Sequence, residues 1–347
     1  MKVITIVSTR PEIIRLSKTI KALDKALGKN HVLVHTGQNF TPELYQTFFE
    51  ELKLRQPNVK FNLDSPRFGF DFGGYIMNEM ERFLKNYDPL FDKILILGDT
   101  NGAFYSSIVA KRLGFKIFHM EAGNRCWDDR VPEEMNRKII DTLSYKLLPY
   151  TQRSRENLLR EGYHPKDIIV TGNPIVEVVQ EIGLDIKDEE YVLVTFHRSE
   201  NINDKYVMEQ FIKQVNKIAK NTKVILSAHP SFSFKYIDSD LNFNDNVEVM
   251  TPCNLKDFLS LEASAQCVIT DSGTVPEECA MFGTKCILLR DSTERPELLE
   301  VNQMVVRNPI DFYNTYLKMK DLTNTTLPRD YRGRVSSIVT KLMIGDL

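Results

Sequence analysis

Residues 267–283 read CVITDSGTVPEECAMFG. The apolar run Cys267-Val268-Ile269-Thr270 leads straight into a Ser272-Gly273 turn, and a helix begins at once. Strand, turn and helix in that order are the repeating unit of a parallel sheet covered by helices. Such a junction turns unpaired backbone N–H groups and the positive end of a helix dipole toward whatever lies beyond the strand, which makes an anion site. Glu277 and Glu278 follow one helical turn later and suit hydroxyl groups. Phosphate donors beside a ribose-sized acceptor suggest a nucleotide. The plainer reading is an ordinary strand–helix joint whose acids complement the dipole.

The same alternation extends on both sides of this segment. Residues 1–7, 31–36, 93–97, 116–119 and 147–148 read as strands, and 11–27, 101–113 and 132–145 as helices. In 132–145, Met135, Ile139 and Leu143 have the i, i+4, i+8 spacing of one helix face. The pattern then repeats, with strands at 191–196, 223–227, 247–250, 267–270 and 285–289, a helix at 204–219 and further helices between the later strands. Residues 175–187 carry no strand signal and separate the halves. The expected fold is α/β: two Rossmann-like domains, 1–175 and 176–330, with a deep cleft between them. Residues 331–347 are expected to form a final helix that packs back on the first domain.

Composition narrows the class. A net charge of −2 argues against a nucleic-acid binder held by bulk electrostatics. No apolar run approaches the ~20 residues of a membrane span, and the first residues start a strand rather than a signal peptide. The five cysteines show no CxxC spacing, which fits a reducing cytoplasm. The six histidines are scattered and form no metal motif. No GxGxxG opens the first βα turn, and no serine-hydrolase elbow is present.

In open α/β sheets, ligands bind beyond the carboxyl ends of the strands. The unusual polar clusters fall there: Ser8-Thr9-Arg10, Gly98-Asp99-Thr100, Glu121-Ala122-Gly123, His197-Arg198, His229-Pro230 and Asp271-Ser272-Gly273. Arg10 suits bidentate phosphate binding. Arg15, one turn on, either assists it or is a solvated helix position. Asp99 is a helix N-cap or a catalytic carboxylate. Glu121 is badly placed for a cap and reads as a site residue. Glu133 and Glu134 lie in a first helical turn, where a dipole role competes. His197, and more weakly His229, can meet a phosphate or move a proton.

Taken together, these segments resemble the non-hydrolysing UDP-N-acetylglucosamine 2-epimerase family. The resemblance rests on Ser-Thr-Arg-Pro-Glu-Ile-Ile-Arg (8–15), His-Thr-Gly-Gln-Asn (35–39), Gly-Asp-Thr (98–100) and His-Met-Glu-Ala-Gly-Asn-Arg (119–125). It continues through Pro-Glu-Glu-Met-Asn-Arg (132–137), Thr-Gly-Asn-Pro (171–174), His-Arg-Ser-Glu-Asn (197–201), Asp-Ser-Gly-Thr-Val-Pro-Glu-Glu (271–278) and Arg-Asp-Ser-Thr-Glu-Arg-Pro-Glu (290–297). The resemblance implies the two-domain GT-B type of fold and inversion at C2 of a UDP-sugar: UDP leaves to give a 2-acetamidoglycal, then re-adds. It implies Asp99, Glu121 and Glu133 as catalytic carboxylates, with His197 beside them as a partner of the diphosphate together with Arg10. Ser272 and Gly273 would hold phosphate and Glu278 the ribose, with Arg15 and His229 as further binding residues. It implies a homodimer and neither metal nor redox cofactor.

Where the family commonly has Gly and Lys, this chain has Ser8 and Arg15, and where it commonly has Leu-Arg-Thr, this chain has Asn124-Arg125-Cys126 followed by Trp127. The form His-Met-Glu-Ala-Gly-Asn-Arg-Cys resembles the branch acting on UDP-2-acetamido-2,6-dideoxy-L-hexoses. That substrate class is the leading expectation, with UDP-GlcNAc/UDP-ManNAc epimerisation next. A GT-B glycosyltransferase is the alternative of a different class.

Overall fold

The computed structural model describes the chain apart from residues 39–41, 63–68, 188, 197–201, 229–242, 252, 302, 306–310, 321–326 and 346–347. The chain divides into two units, Met1–Glu181 with Arg329–Leu347, and Ile182–Pro328. In the first unit, β1 (Val3–Val7), β2 (His31–His35), β3 (Val59–Lys60), β4 (Lys93–Leu97), β5 (Lys116–Met120) and β6 (Lys146–Leu148) form a parallel sheet in the order β3-β2-β1-β4-β5-β6. In the second, β7 (Tyr191–Phe196), β8 (Lys223–Ala228), β9 (Val247–Met250), β10 (Cys267–Thr270), β11 (Lys285–Leu288) and β12 (Gln303–Val305) pair as β9-β8-β7-β10-β11-β12. Both sheets are therefore wound identically, in the doubly wound Rossmann order. The strand order reverses between β1 and β4 in one unit and between β7 and β10 in the other.

Burial explains the strand sequences. All residues of β1, β2, β7 and β10 are buried. Strands covered on both faces read as apolar runs rather than as alternation. In the first unit the covering helices are α1 (Arg10–Leu27), α2 (Pro42–Glu51), α3 (Gly69–Leu84), α4 (Asn101–Arg112), α5 (Pro132–Leu143), α6 (Gln152–Arg160) and α7 (Ile175–Ile182). In the second they are α8 (Lys205–Ala219), α9 (Leu255–Ser264), α10 (Val275–Phe282) and α11 (Tyr313–Lys320). One core packs Ile4, Ile6, Ile94, Ile96 and Ile117 against Ile76 and Met80; the other packs Val192, Val194 and Ile269 against Phe211 and Val215.

The final helix, α12 (Val335–Ile344), belongs to the first unit and packs on α1. Its end is held by Lys93, whose Nζ donates to the carbonyls of Leu342 (3.2 Å) and Met343 (2.8 Å). A cation at a helix C-terminus also complements the dipole. Helix α3 carries no element in the sequence reading, because Gly69, Gly73 and Gly74 weaken its helix signal. Its buried stripe is nevertheless regular: Phe72, Ile76, Met80 and Leu84. Gly73 is needed for close packing, since a Cβ there would lie 2.4 Å from Tyr105 Cζ. Among the described residues no helix is long and apolar enough to cross a membrane, and no disulfide links the cysteines.

Candidate active site

Beyond β1, the chain enters α1 through a capping box of Thr9 and Glu12. The Glu12 carboxylate accepts from the backbone N–H groups of Ser8 and Thr9, both at 2.6 Å, and from the Thr100 hydroxyl at 2.7 Å. One buried acid thus ties the turn after β1 to the turn after β4, across the switch point. Burial pushes its pKa up to about 7, although these hydrogen bonds oppose the shift. Arg10 is exposed, with its guanidinium 5.4 Å from the centre of the Phe48 ring. Arg15 is buried.

Arg15 Nη1 donates to Glu121 Oε2 at 3.0 Å, and both side chains are more than nine-tenths buried. Glu121 immediately follows β5 with φ 71°. A left-handed backbone at a residue with a side chain costs about 1–2 kcal/mol and persists only where its surroundings over-determine it. Here the Glu121 N–H donates to the Leu148 carbonyl at 3.1 Å. The carboxylate also accepts from Tyr150 Oη and from Asn124 Nδ2, each at 3.3 Å, and Ser154 Oγ donates to Asn124 Oδ1 at 2.8 Å.

Asp99 follows β4. It is not the cap of the next helix: Thr100 is, its hydroxyl accepting from the Ala103 N–H at 3.2 Å. That leaves the Asp99 carboxylate to Arg137 on α5, whose Nε (3.0 Å) and Nη2 (2.5 Å) both donate to Oδ2. Arg137 Nη1 turns the other way, to Glu134 at 2.7 Å. Of the two acids that open α5, Glu133 is exposed and Glu134 is buried. Glu134 also accepts from the N–H groups of Cys126 (3.0 Å) and Trp127 (3.3 Å), and so fastens the loop after Glu121. Burial raises its pKa, but these donors and the Arg137 charge outweigh that and leave it below the usual range.

In the second unit, the turn after β10 is built on hydroxyls. The Ser272 N–H donates to Thr270 Oγ1 at 3.0 Å, and the Thr274 N–H to Ser272 Oγ at 3.3 Å. Helix α10 starts with no side-chain cap and with Pro276 in its first turn. Its opening N–H groups are thus suited to an anion. A Cβ on Gly273 would lie 3.0 Å from both Arg290 Nη1 and Glu294 Oε1, so glycine keeps this approach open. Glu277 pairs with Arg295, and Glu278 is buried. The thiols of Cys267 and Cys279 are pushed up by burial and are not nucleophiles. A cavity of about 500 Å³ lined by Gln266, Cys267, Thr284 and Lys285 lies at the opposite end of β10 and β11.

The structure thus joins Arg15 to Glu121 and sets Asp99 beyond the neighbouring strand, with Arg10 and Glu133 exposed in the same unit. Ser272, Gly273 and Glu278 share the second unit. His197 and His229 lie outside the described residues. Sequence reasoning passed over Glu12, Arg137 and Tyr150. Tyr150 stands two residues beyond β6, where the strand-end rule itself points. Among the described residues no cluster of three His, Cys, Asp or Glu side chains is arranged to hold a metal ion.

The family model for UDP-N-acetylglucosamine 2-epimerase matches residues 21–331. The chain belongs to this family. It is similar to the UDP-N-acetylglucosamine 2-epimerase of Methanococcus maripaludis, with 34% identity over 340 residues covering 92% of this chain and 91% of the relative. It is also similar to UDP-2,3-diacetamido-2,3-dideoxy-D-glucuronate 2-epimerase of Pseudomonas aeruginosa, with 31% identity covering 86% of each chain. Among solved structures it resembles Methanocaldococcus jannaschii UDP-GlcNAc 2-epimerase in complex with UDP-GlcNAc and UDP. That match has a TM-score of 0.88 and 31% identity and covers 99% of this chain and 100% of the other. The epimerase family is one of isomerases, and this chain is a UDP-sugar 2-epimerase with two Rossmann-like domains of GT-B type.

Proposed function

We propose that the chain inverts C2 of a UDP-2-acetamido-2,6-dideoxy-L-hexose by the non-hydrolysing route. One carboxylate removes the C2 proton as the C1–O bond breaks. The C–H pair forms the C1=C2 double bond of a 2-acetamidoglycal, and the C1–O pair leaves with UDP. A proton is then delivered to the opposite face of C2 and UDP re-adds at C1, so atoms and charge balance without an oxidant. Two positioned acid/base groups are required. Glu121 against Arg15, beyond β5, is the observation that carries this reading. Asp99, against Arg137 beyond the adjacent β4, is the second group. Arginine partners favour the ionised form, in which a carboxylate accepts a proton. Glu133 is the third candidate carboxylate. Arg10, His197, His229, Ser272 and Gly273 are proposed to hold the diphosphate, which needs N–H or cationic donors as charge develops. Glu278 is proposed to meet the ribose.

The 6-deoxy-L-sugar assignment rests on Asn124, Cys126 and Trp127, which follow Glu121. Asn124 donates to the carboxylate itself. UDP-GlcNAc/UDP-ManNAc epimerisation is the second reading, favoured by the activity named for the archaeal relatives. Proton NMR in D2O with each purified UDP-sugar separates them. Deuterium at C2 of the 6-deoxy-L-sugars is expected; uptake by UDP-GlcNAc alone would refute that assignment. A sample inert until an acceptor is added would indicate a glycosyltransferase, and release of free sugar a hydrolysing enzyme. Gel filtration against light scattering tests the proposed homodimer.

A further inference from the structure

His119, on β5 two residues before Glu121, is completely buried. Its Nε2 lies 2.9 Å from the carbonyl oxygen of Gly98, and its Nδ1 lies 2.7 Å from Asp141 Oδ1 on α5. A carbonyl oxygen only accepts, so Nε2 carries a proton. Asp141 Oδ2 already accepts from Arg125 Nη2 at 2.7 Å and from the Gly123 N–H at 3.1 Å. Burial disfavours the charged carboxyl, but its bonds and charges with His119 and Arg125 outweigh that and hold it below the usual range. Nδ1 faces that carboxylate and shares a hydrogen bond with it. Arg125 is bonded in turn to Glu161 through Nε (2.7 Å) and Nη2 (2.5 Å), which closes the network.

The contacts of this network bracket the two candidate acids. Gly98 immediately precedes Asp99, and Gly123 follows Glu121 by two residues. Gly98, Glu121 and Gly123 are all left-handed, at φ 74°, 71° and 76°. Glycine takes this conformation freely, so the strain that must be held falls on Glu121, between the two. We propose that His119, with Asp141, is a positioning pair that sets Asp99 and Glu121 for proton transfer at C2. It touches no substrate and acts through the Gly98 carbonyl and the Gly123 N–H. The inference rests on the assignment of Glu121 and Asp99 to that chemistry.

Long-range ¹H–¹⁵N NMR of the histidine side chains tests the contact with Gly98. His119 is expected to carry a proton on Nε2, and a ring protonated on Nδ1 alone would overturn the proposal. The kinetic arm uses His119→Gln and Asp141→Asn, checked for folding by circular dichroism. Loss of the bracket displaces the carboxylates, so kcat is expected to fall on the order of 10²-fold with KM nearly unchanged. A folded His119→Gln enzyme with wild-type kcat would also overturn it. If the variants do not fold, a wild-type ring without an Nε2 proton would still overturn it. A wild-type enzyme that exchanges no C2 proton would sink the epimerase assignment instead, and the ring-proton result would stand apart from it.

Discussion

Glu12→Gln tests the electrostatics beneath the site. Glu12 is 2% exposed, and burial moves its pKa from 4.5 up to about 7. Between those values the unfolded chain has lost the proton and the folded chain keeps it. Stability therefore falls as pH rises through that window. At about 1.4 kcal/mol per pH unit, the interval amounts to about 3 kcal/mol. His35 works in the opposite sense: burial pushes it down to about 4, so stability rises with pH between there and 6.5. The wild-type profile is flattened where the two windows overlap, and the comparison with the variant isolates Glu12. Glutamine keeps the shape, and its oxygen can still accept from the Ser8 and Thr9 N–H groups. Trp127 is the only tryptophan and lies in the same unit as Glu12, so its fluorescence follows that unit in urea. From pH 4.5 to pH 8 the variant is expected to gain about 3 kcal/mol relative to wild type, most of it between pH 5 and 7. A difference that stays constant across the range would refute the reasoning.

Glu121→Gln is expected to cut turnover by at least ~10²-fold while UDP affinity, read by calorimetry, is unchanged; full turnover would remove Glu121 from the chemistry. Asn124→Leu deletes a donor to Glu121 and the acceptor of Ser154 Oγ. It is expected to cost about 1–2 kcal/mol in a urea melt and to raise turnover of UDP-GlcNAc relative to the 6-deoxy-L-sugar. Gly123→Ala places a Cβ 2.3 Å from the Ser154 carbonyl oxygen at a left-handed φ. A loss on the order of 3 kcal/mol follows from the clash and the backbone strain together, and an unchanged melting curve would contradict it.

The strand-end clusters were legible because parallel strands announce themselves as apolar runs, and a charged or glycine residue at the end of such a run stands out. Asp99, Glu121 and Ser272-Gly273 stand out that way as candidates. The short edge strands β3 and β12 were not, since two or three residues carry no period. The sequence leaves Asp99 open as cap or catalytic carboxylate, because Asp and Thr are both good N-caps and stand one position apart. Only the geometry gives the role to Thr100 and hands Asp99 to Arg137. Glu12 stands in the first turn of α1, where an acid is unremarkable, and its hydrogen-bond partner Thr100 lies 88 residues away.

The sequence alone determined the α/β class, the two halves and the family, because these depend on local period and on motifs in order. The identical winding of the two sheets, which sets β1 beside β4 and β7 beside β10, was decided by tertiary structure. So were the partners of each acid: Arg15 for Glu121, 106 residues apart, and Arg137 for Asp99. Ion pairs form between groups that folding brings within about 4 Å, and separation along the chain says nothing about that distance. The chain's letters name the acids, and the sheet's winding chooses their cations.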